Sequence, residues 1–272
     1  MTSILVNSPT RAARVSKGAT ACIARVGAAA ATLLLLALPV SPALADCNEE
    51  PGPDVDWSEC EKVRLMFGSA DLSNGEFVET FFTSTDLAGA NLSGSDMSLA
   101  ELSNARLTNA DLAGTVLEKA AGSRVDFSGA NMAGANLTAA EFSRSNFVRA
   151  NLVGVDFTNS ELNRSDFTEA DLTGAIMAKA ELARIVLTGA VISGVTFSFS
   201  NLARADLKNV NLDDADLTGT YMFLTLVEGA DLSRTKGLKA DQLAMACGSA
   251  ETQLPSGLTA PEGWPCPAYH EE

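Results

Sequence analysis

Every fifth residue from Leu72 to Leu232 is large and apolar, with Gly122 as the exception. The position two before it is usually Ala, with Ser, Thr or Val as substitutes. The other three positions of each block are mostly polar, as in Ala90-Asn91-Leu92-Ser93-Gly94 and Ala170-Asp171-Leu172-Thr173-Gly174. A helix keeps one apolar face only when such residues recur at three- and four-residue steps, which a period of five does not supply. A flat strand needs strict alternation, and the alternation breaks at every block boundary. A chain that turns a corner every five residues satisfies the pattern. Its large apolar residue, position i, and the small residue at i−2 then point inward, while i−1, i+1 and i+2 face water.

A period of twenty overlies the period of five. Gly94, Gly114, Gly134, Gly154, Gly174 and Gly194 share one block position, and Phe127, Phe147 and Phe167 share another. Arg124, Arg144, Arg164, Arg184 and Arg204 repeat at the same interval on the outside. Four blocks therefore make one coil, and equivalent residues stack on successive coils. With strands ~4.8 Å apart, about eight coils span roughly 40 Å. A fixed repeat of this kind sets the architecture before any local preference does.

The unbroken phase from Asp71 to Ser233 resembles the pentapeptide-repeat family. The resemblance implies an all-β fold, a right-handed parallel β-helix of quadrilateral section; the period of twenty supports four sides independently. Each coil covers only its neighbours, so both ends need caps against exposed plugs and unpaired strand edges. The expected organisation is a signal peptide at 1–45, an N-terminal cap at 46–70, the solenoid at 71–234, and a helix and strap at 235–272. Trp57 suits the first plug, and Leu65 and Phe67 fit a degenerate opening block. Lys239 to Ala246 has helix-forming composition with Gly248 to stop it. Leu254 to Leu258 and Trp264-Pro265-Cys266 read as a strap closing the last coil, with Trp264 as anchor. Gly122 predicts a local bend or thin spot filled by Met or Phe neighbours.

The leader is basic, with Arg11, Arg14, Lys17 and Arg25 and no acid before Asp46. The apolar run Gly27–Val40 is short for a membrane span. Ala43-Leu44-Ala45 reads as a cleavage site, giving a mature chain from Asp46 in the periplasm or secreted. The competing reading is an uncleaved N-terminal anchor. Asp46 before Cys47 is wrong for lipid attachment, and no Arg pair marks the export route of folded proteins. Cleavage removes Cys22 and leaves Cys47, Cys60, Cys247 and Cys266. An even count in an exported chain reads as disulfides. The length of the solenoid separates the two pairs, so Cys47–Cys60 and Cys247–Cys266 are the feasible intramolecular pairing.

Charge directs attention to the surface. The chain has 34 acidic and 19 basic residues and a formal net charge of −15. Loss of the basic leader makes it more acidic still. Duplex DNA carries one charge per ~1.7 Å, about 24 over 40 Å, a comparable density. Some members of the family resembled here are acidic mimics of DNA that bind DNA gyrase and confer quinolone resistance. A cytoplasmic target and the arginine column both oppose that reading, and no direct contact with nucleic acid is expected.

On the side centred on Phe142, Leu162 and Leu182, position i−1 is Glu141, Glu161 and Glu181, preceded by Glu101. Position i+2 is Arg144, Arg164 and Arg184, extended by Arg124 and Arg204. Two columns of opposite sign run along one face. They read either as a mutual salt-bridge lattice, worth ~0–1 kcal/mol per pair, or as a recognition strip for a periodic polyanion or a partner's acidic edge. Outward positions also turn apolar at Ile176, Val186, Val191 and Phe199, and most densely at Tyr221, Phe223, Leu224 and Leu226. That patch is either covered by the C-terminal helix and strap or is an interface. End helices mediate dimers in the family resembled, so a homodimer through this end is one expectation.

Chemistry is sparse. No Gly-rich phosphate loop follows a strand, and the lone His270 excludes a Ser-His-Asp set. No cofactor, metal or catalytic residue is expected. Asp at i−1 is read as bonding corner backbone, an ordinary turn role. The sequence thus predicts a non-enzymatic, exported interaction or structural scaffold meeting an envelope or periplasmic partner, with the gyrase-binding mimic as alternative if the leader is kept.

Overall fold

The computed structural model describes residues 45–266. The leader up to Leu44 and His270 lie outside the described residues.

Parallel bridges link residues twenty apart throughout the repeat, as in Asn91↔Asp111, Asn131↔Asn151 and Glu161↔Glu181. Three backbone bonds per block hold each coil to its neighbours. The Leu92 N–H donates to the Asp111 carbonyl at 2.7 Å, Asn91 N–H to the Ala70 carbonyl at 2.9 Å, and Gly94 N–H to the Ala113 carbonyl at 2.9 Å. Each side contributes one bridge and then turns, so the bridges stay isolated instead of joining into longer strands. The five-residue corner leaves no room for more. The bridging register begins at Asp56↔Glu76 and Glu61↔Phe81, before the sequence repeat becomes regular at Asp71. Backbone geometry therefore continues the repeat through 56–70, where side-chain identity is degenerate.

The corner explains the block's composition. Residue i+2 takes left-handed φ, at 68° for Gly94 and 67° for Gly154, where glycine has no Cβ penalty. The side chain at i−1 supports the same corner. Asp71 Oδ1 accepts the Ser73 N–H at 3.2 Å, and Asp171 Oδ1 accepts both the Thr173 N–H at 3.0 Å and its hydroxyl at 2.6 Å. Asp or Asn at i−1 with Ser or Thr at i+1 is thus an Asx-type turn that recurs along the solenoid.

Positions i and i−2 are buried along the whole solenoid. Phe147 stacks between Phe127 at 5.0 Å and Phe167 at 4.7 Å. Where Thr replaces Ala at i−2, its buried hydroxyl finds a carbonyl on the preceding coil. Thr115 donates to Leu92 at 2.9 Å and Thr225 to Leu202 at 2.8 Å. A polar residue is tolerated there because the bond is available.

Gly122 corrects an expectation. Backbone and the Val125 side chain, not a Met or Phe neighbour, take the place of its missing side chain: a Cβ on Gly122 would lie 2.9 Å from both the Leu102 carbonyl carbon and Val125 Cγ2. The corner hydrogen bond is altered as well, since the Val125 N–H donates to Ser145 Oγ at 3.1 Å.

The ends differ. At the N-terminal end Cys47 is joined to Cys60, Cα atoms 5.4 Å apart. Lys62 occupies a plug position, its Nζ 3.7 Å from the Trp57 ring centre and donating to the Cys47 carbonyl at 2.8 Å. Desolvation by burial lowers its pKa. At the other end helix α1, Ala240–Met245, is one residue shorter at each end than the composition predicts. Gln242 Nε2 donates to the Leu217 and Thr220 carbonyls at 2.8 and 2.9 Å, which docks α1 on the last coil. Gly248 does not stop the helix; Ala246, already extended, does. Gly248 instead makes room for Trp264, whose ring would lie 2.3 Å from a Cβ there. Trp264 Nε1 donates to the Ala246 carbonyl at 2.7 Å, and Cys247 is joined to Cys266.

Corner carboxylates make stability depend on acid pH. The Ser73 hydroxyl and N–H hold Asp71 below the ordinary 3.8, the Ala88 N–H and then Arg106 do so for Asp86, and the Ser233 hydroxyl and N–H for Asp231. Their folded pKa is depressed, so their contribution is complete above the unfolded value and disappears as pH falls through the folded one. Thermal unfolding is expected to be unaffected by these groups from about pH 7 to pH 5 and to shift downward below about pH 4. Replacing Asp71 and Asp231 by Asn should flatten the acid limb; an unchanged limb would assign it to other carboxylates.

Candidate functional site

The side carrying Phe142, Leu162 and Leu182 presents the two charged columns. Glu141, Glu161 and Glu181 are exposed and lie in consecutive bridges, Glu141↔Glu161 and Glu161↔Glu181. Arg124, Arg144, Arg164, Arg184 and Arg204 occupy the adjoining corner at φ 56°, 60°, 62°, 62° and 58°. An L-residue pays for this conformation, which these five arginines share with non-glycine residues at adjoining corners such as Lys119, Asn159 and Lys179. All five are exposed.

The columns do not form the salt-bridge lattice that is one sequence reading. Among the described residues the ion pairs lie elsewhere; four of them are Arg106–Asp86, Lys119–Glu118 at 3.1 Å, Arg149–Glu169 at 3.3 Å and Arg234–Asp214 at 2.9 Å. Three of these four join successive coils, so such pairing is geometrically available. On the strip, glutamate and arginine stand at opposite edges of one side, with Ser143, Asn163 and Ala183 between them. Like-charge stacking is relieved by another device, which meets the strip where Asn201 Nδ2 donates to Glu181 Oε2 at 2.8 Å and recurs on a different side. Asn91 Nδ2 donates to Asp71 Oδ1 at 3.0 Å and Asn131 Nδ2 to Asp111 Oδ1 at 2.9 Å. The signal was present in the sequence as Asp and Asn alternating at twenty-residue intervals.

The glutamate column is interrupted at Ala121, directly beside Gly122. There the surface dips into a hollow of about 260 Å3, with Glu101, Glu141 and Glu161 around it and Ser103, Ser123 and Ser143 beside it. A second hollow of about 220 Å3 lies between Tyr221 and α1, against Lys239, Asp241 and Met245.

The apolar patch is divided by the C-terminal cap. The Leu224 N–H donates to the Met245 carbonyl at 2.7 Å and Leu226 bridges Cys247, so both are half-buried under the returning chain. Tyr221 and Phe223 stay 47% and 43% exposed, their rings 6.3 Å apart. Phe199 lies with its ring over Gly219. Val186 shares the bridge column of Leu226 but is separated from it by Asp206. Lys62 was not singled out as a site residue from sequence; a lysine at a plug position next to a tryptophan and a cysteine pair is the signal that marks it.

A family model described as "Pentapeptide repeat region" matches residues 120–197, and one described as "Pentapeptide repeats (8 copies)" matches 67–104, 100–138 and 190–224. Together they run without a gap over more than half of the chain. No curated protein matches it. Among solved structures, HetL, a pentapeptide repeat protein involved in heterocyst differentiation regulation in the cyanobacterium Nostoc sp. strain PCC 7120, is 23% identical over 75% of this chain and 91% of its own, with a TM-score of 0.41. QnrB1, a plasmid-mediated fluoroquinolone resistance protein, is 15% identical over 72% of this chain and 91% of its own, with a TM-score of 0.47. A pentapeptide repeat protein of the Arabidopsis thaliana thylakoid lumen is 28% identical over 42% of this chain and 79% of its own, with a TM-score of 0.34.

Proposed function

The chain belongs to the pentapeptide-repeat family, and from that premise we propose a non-enzymatic role. It is an exported interaction and structural scaffold of the cell envelope or periplasm, a right-handed four-sided solenoid that meets a protein partner through its charged faces. One observation carries this reading: the interior is filled from Trp57 to Leu232, while the Glu141–Glu181 and Arg124–Arg204 columns on the outside form no ion pair among the described residues. A filled interior offers shape and surface rather than a cleft for reacting groups. The basic leader with its A-x-A site supports export, as do cysteine pairs at both ends.

The acidic balance, −15 for the whole chain, favours a second reading as a DNA mimic acting on DNA gyrase. Unpaired arginines along one side oppose it, since a mimic of duplex phosphate presents anions. Intact mass of the protein from its native host, with and without reductant, separates the two. A chain beginning at Asp46 that gains about four mass units on reduction is expected for an exported protein with two disulfides. A full-length, already reduced chain would overturn export and put the mimic first.

A further inference from the structure

We propose that the side bearing Glu141, Glu161, Glu181 and Arg124, Arg144, Arg164, Arg184 docks a second copy of this chain, the two solenoids lying parallel with a two-fold axis along their length. The proposal deepens the scaffold reading by naming a partner, and rests on it only in taking this face as an interaction surface.

The charge pattern selects both partner and orientation. Across this side the order is carboxylate, small residue, guanidinium, repeated on three successive coils at Glu141–Arg144, Glu161–Arg164 and Glu181–Arg184. The repeat distance is fixed by backbone bridges at ~4.8 Å. An extended acidic peptide would offer carboxylates on one face every ~6.6–6.8 Å, and falls out of step within a few coils. A second copy matches the spacing on every level. When two such faces meet across a two-fold axis parallel to the solenoid, each glutamate column faces the other's arginine column. An axis across the face would set glutamate against glutamate. A dimer of this kind is isologous and closed. Both columns are exposed and without an ion pair among the described residues, so no ion pair has to break to form the contact; Glu181 keeps a second carboxylate oxygen beside the one that accepts Asn201 Nδ2 at 2.8 Å. Elsewhere the copies carry like charge and repel; here alternating signs remove the repulsion.

The break in the glutamate column fits the same arrangement. Under the two-fold axis, Arg124 of one copy comes level with Ala121 of the other. That is the place of the hollow of about 260 Å3 beside Glu101, Glu141 and Glu161. Ala121, where the flanking coils carry Glu101 and Glu141, leaves space for an entering side chain, and the carboxylates suit the planar guanidinium fork. The residues that look like a defect in one chain become a receptor for the arginine of another.

Charge-swap sedimentation tests this on the mature chain. Wild type is expected to dimerise at low salt and dissociate at about 0.5 M salt as the charges are screened. Arg144→Glu/Arg164→Glu/Arg184→Glu and Glu141→Arg/Glu161→Arg/Glu181→Arg should each be monomeric. Both substitutions use residue types already found at such positions, Glu79 and Glu169 at left-handed corners and Arg106 at i−1. Unchanged circular dichroism melts would confirm folding. An equimolar mixture of the two variants should restore the dimer. Arg124→Ala should weaken dimerisation by about tenfold or more, and Arg234→Ala, already paired with Asp214, should not. A wild-type chain monomeric at every salt and concentration overturns the proposal. So does a dimer that survives either triple variant, which would place the contact elsewhere, such as at Tyr221 and Phe223, or a mixture that stays monomeric. A cytoplasmic, full-length native chain would defeat the export reading without touching this result.

Discussion

Phe147→Ala is expected to lower the unfolding free energy by about 3–5 kcal/mol, the cost of truncating a buried aromatic where the site cannot collapse. Phe147 is fully buried between Phe127 and Phe167 and meets the edge of Phe157 at 6.2 Å. Its neighbours cannot close the gap. The bridges Asp126↔Asn146 and Asn146↔Asp166 fix the coils above and below at backbone spacing, so the cavity persists. Because a solenoid is coupled only through adjacent coils, a weak coil in the middle also loosens the link between the halves. The urea transition should therefore broaden as well as move. Phe147→Leu should cost much less, about 1 kcal/mol, since Leu87, Leu107, Leu187 and Leu207 fill the same column elsewhere. Urea unfolding followed by circular dichroism decides it. An Ala variant within about 1 kcal/mol of wild type would mean that generic plugging, not the aromatic stack, holds the centre.

Phe147 is also an instance of what the sequence discloses. Its column was legible because twenty-residue spacing survives translation into stacking without further geometry. The same holds for the inward pair i and i−2 and for Asp at i−1 as a corner acceptor. What could not be read depends on one coil meeting the next at a defect. Gly122 was legible as an exception, but whether a side chain or the backbone fills it depends on how far the main chain shifts. The columns of Glu141 and Arg144 were visible, yet their failure to pair follows from the width of one side, which residue spacing does not state. Lys62 was hidden because a charged plug contradicts the block rule. Its burial makes sense only with the Trp57 ring beneath it and the Cys47 carbonyl returned to it by the cap. At the C-terminal end the composition of α1 was readable, but Gly248 has its role from a tryptophan ring sixteen residues later.

The two caps should not be equal. Removing the N-terminal disulfide with Cys47→Ser/Cys60→Ser is expected to cost about 3 kcal/mol, while Cys247→Ser/Cys266→Ser should cost less. Chain entropy alone ranks them the other way, because the sequence separation is 13 for the first pair and 19 for the second. The reversal comes from what each bond holds in place. The N-terminal strap rests on its disulfide and two side-chain bonds, Trp57 Nε1 to the Glu49 carbonyl at 3.2 Å and Lys62 Nζ to the Cys47 carbonyl at 2.8 Å. When the strap leaves, the Lys62 ammonium loses the Cys47 carbonyl and the cover over Trp57 is lost with it. Trp57 then faces water at the open end. The C-terminal cap keeps independent ties without its disulfide: Val227 N–H to the Cys247 carbonyl at 2.7 Å, Leu232 N–H to the Gln253 carbonyl at 2.8 Å, and both bonds from Gln242. Hydrogen exchange should show fraying from the N-terminal end in the first variant. The amides of Trp57, Lys62 and Phe67, which donate into the second coil, should lose protection, while those near Phe147 keep theirs, as nearest-neighbour coupling requires. If the C-terminal pair proves the more costly, loop closure in the unfolded chain outweighs the contacts at Lys62, and the buried lysine contributes little to holding the cap.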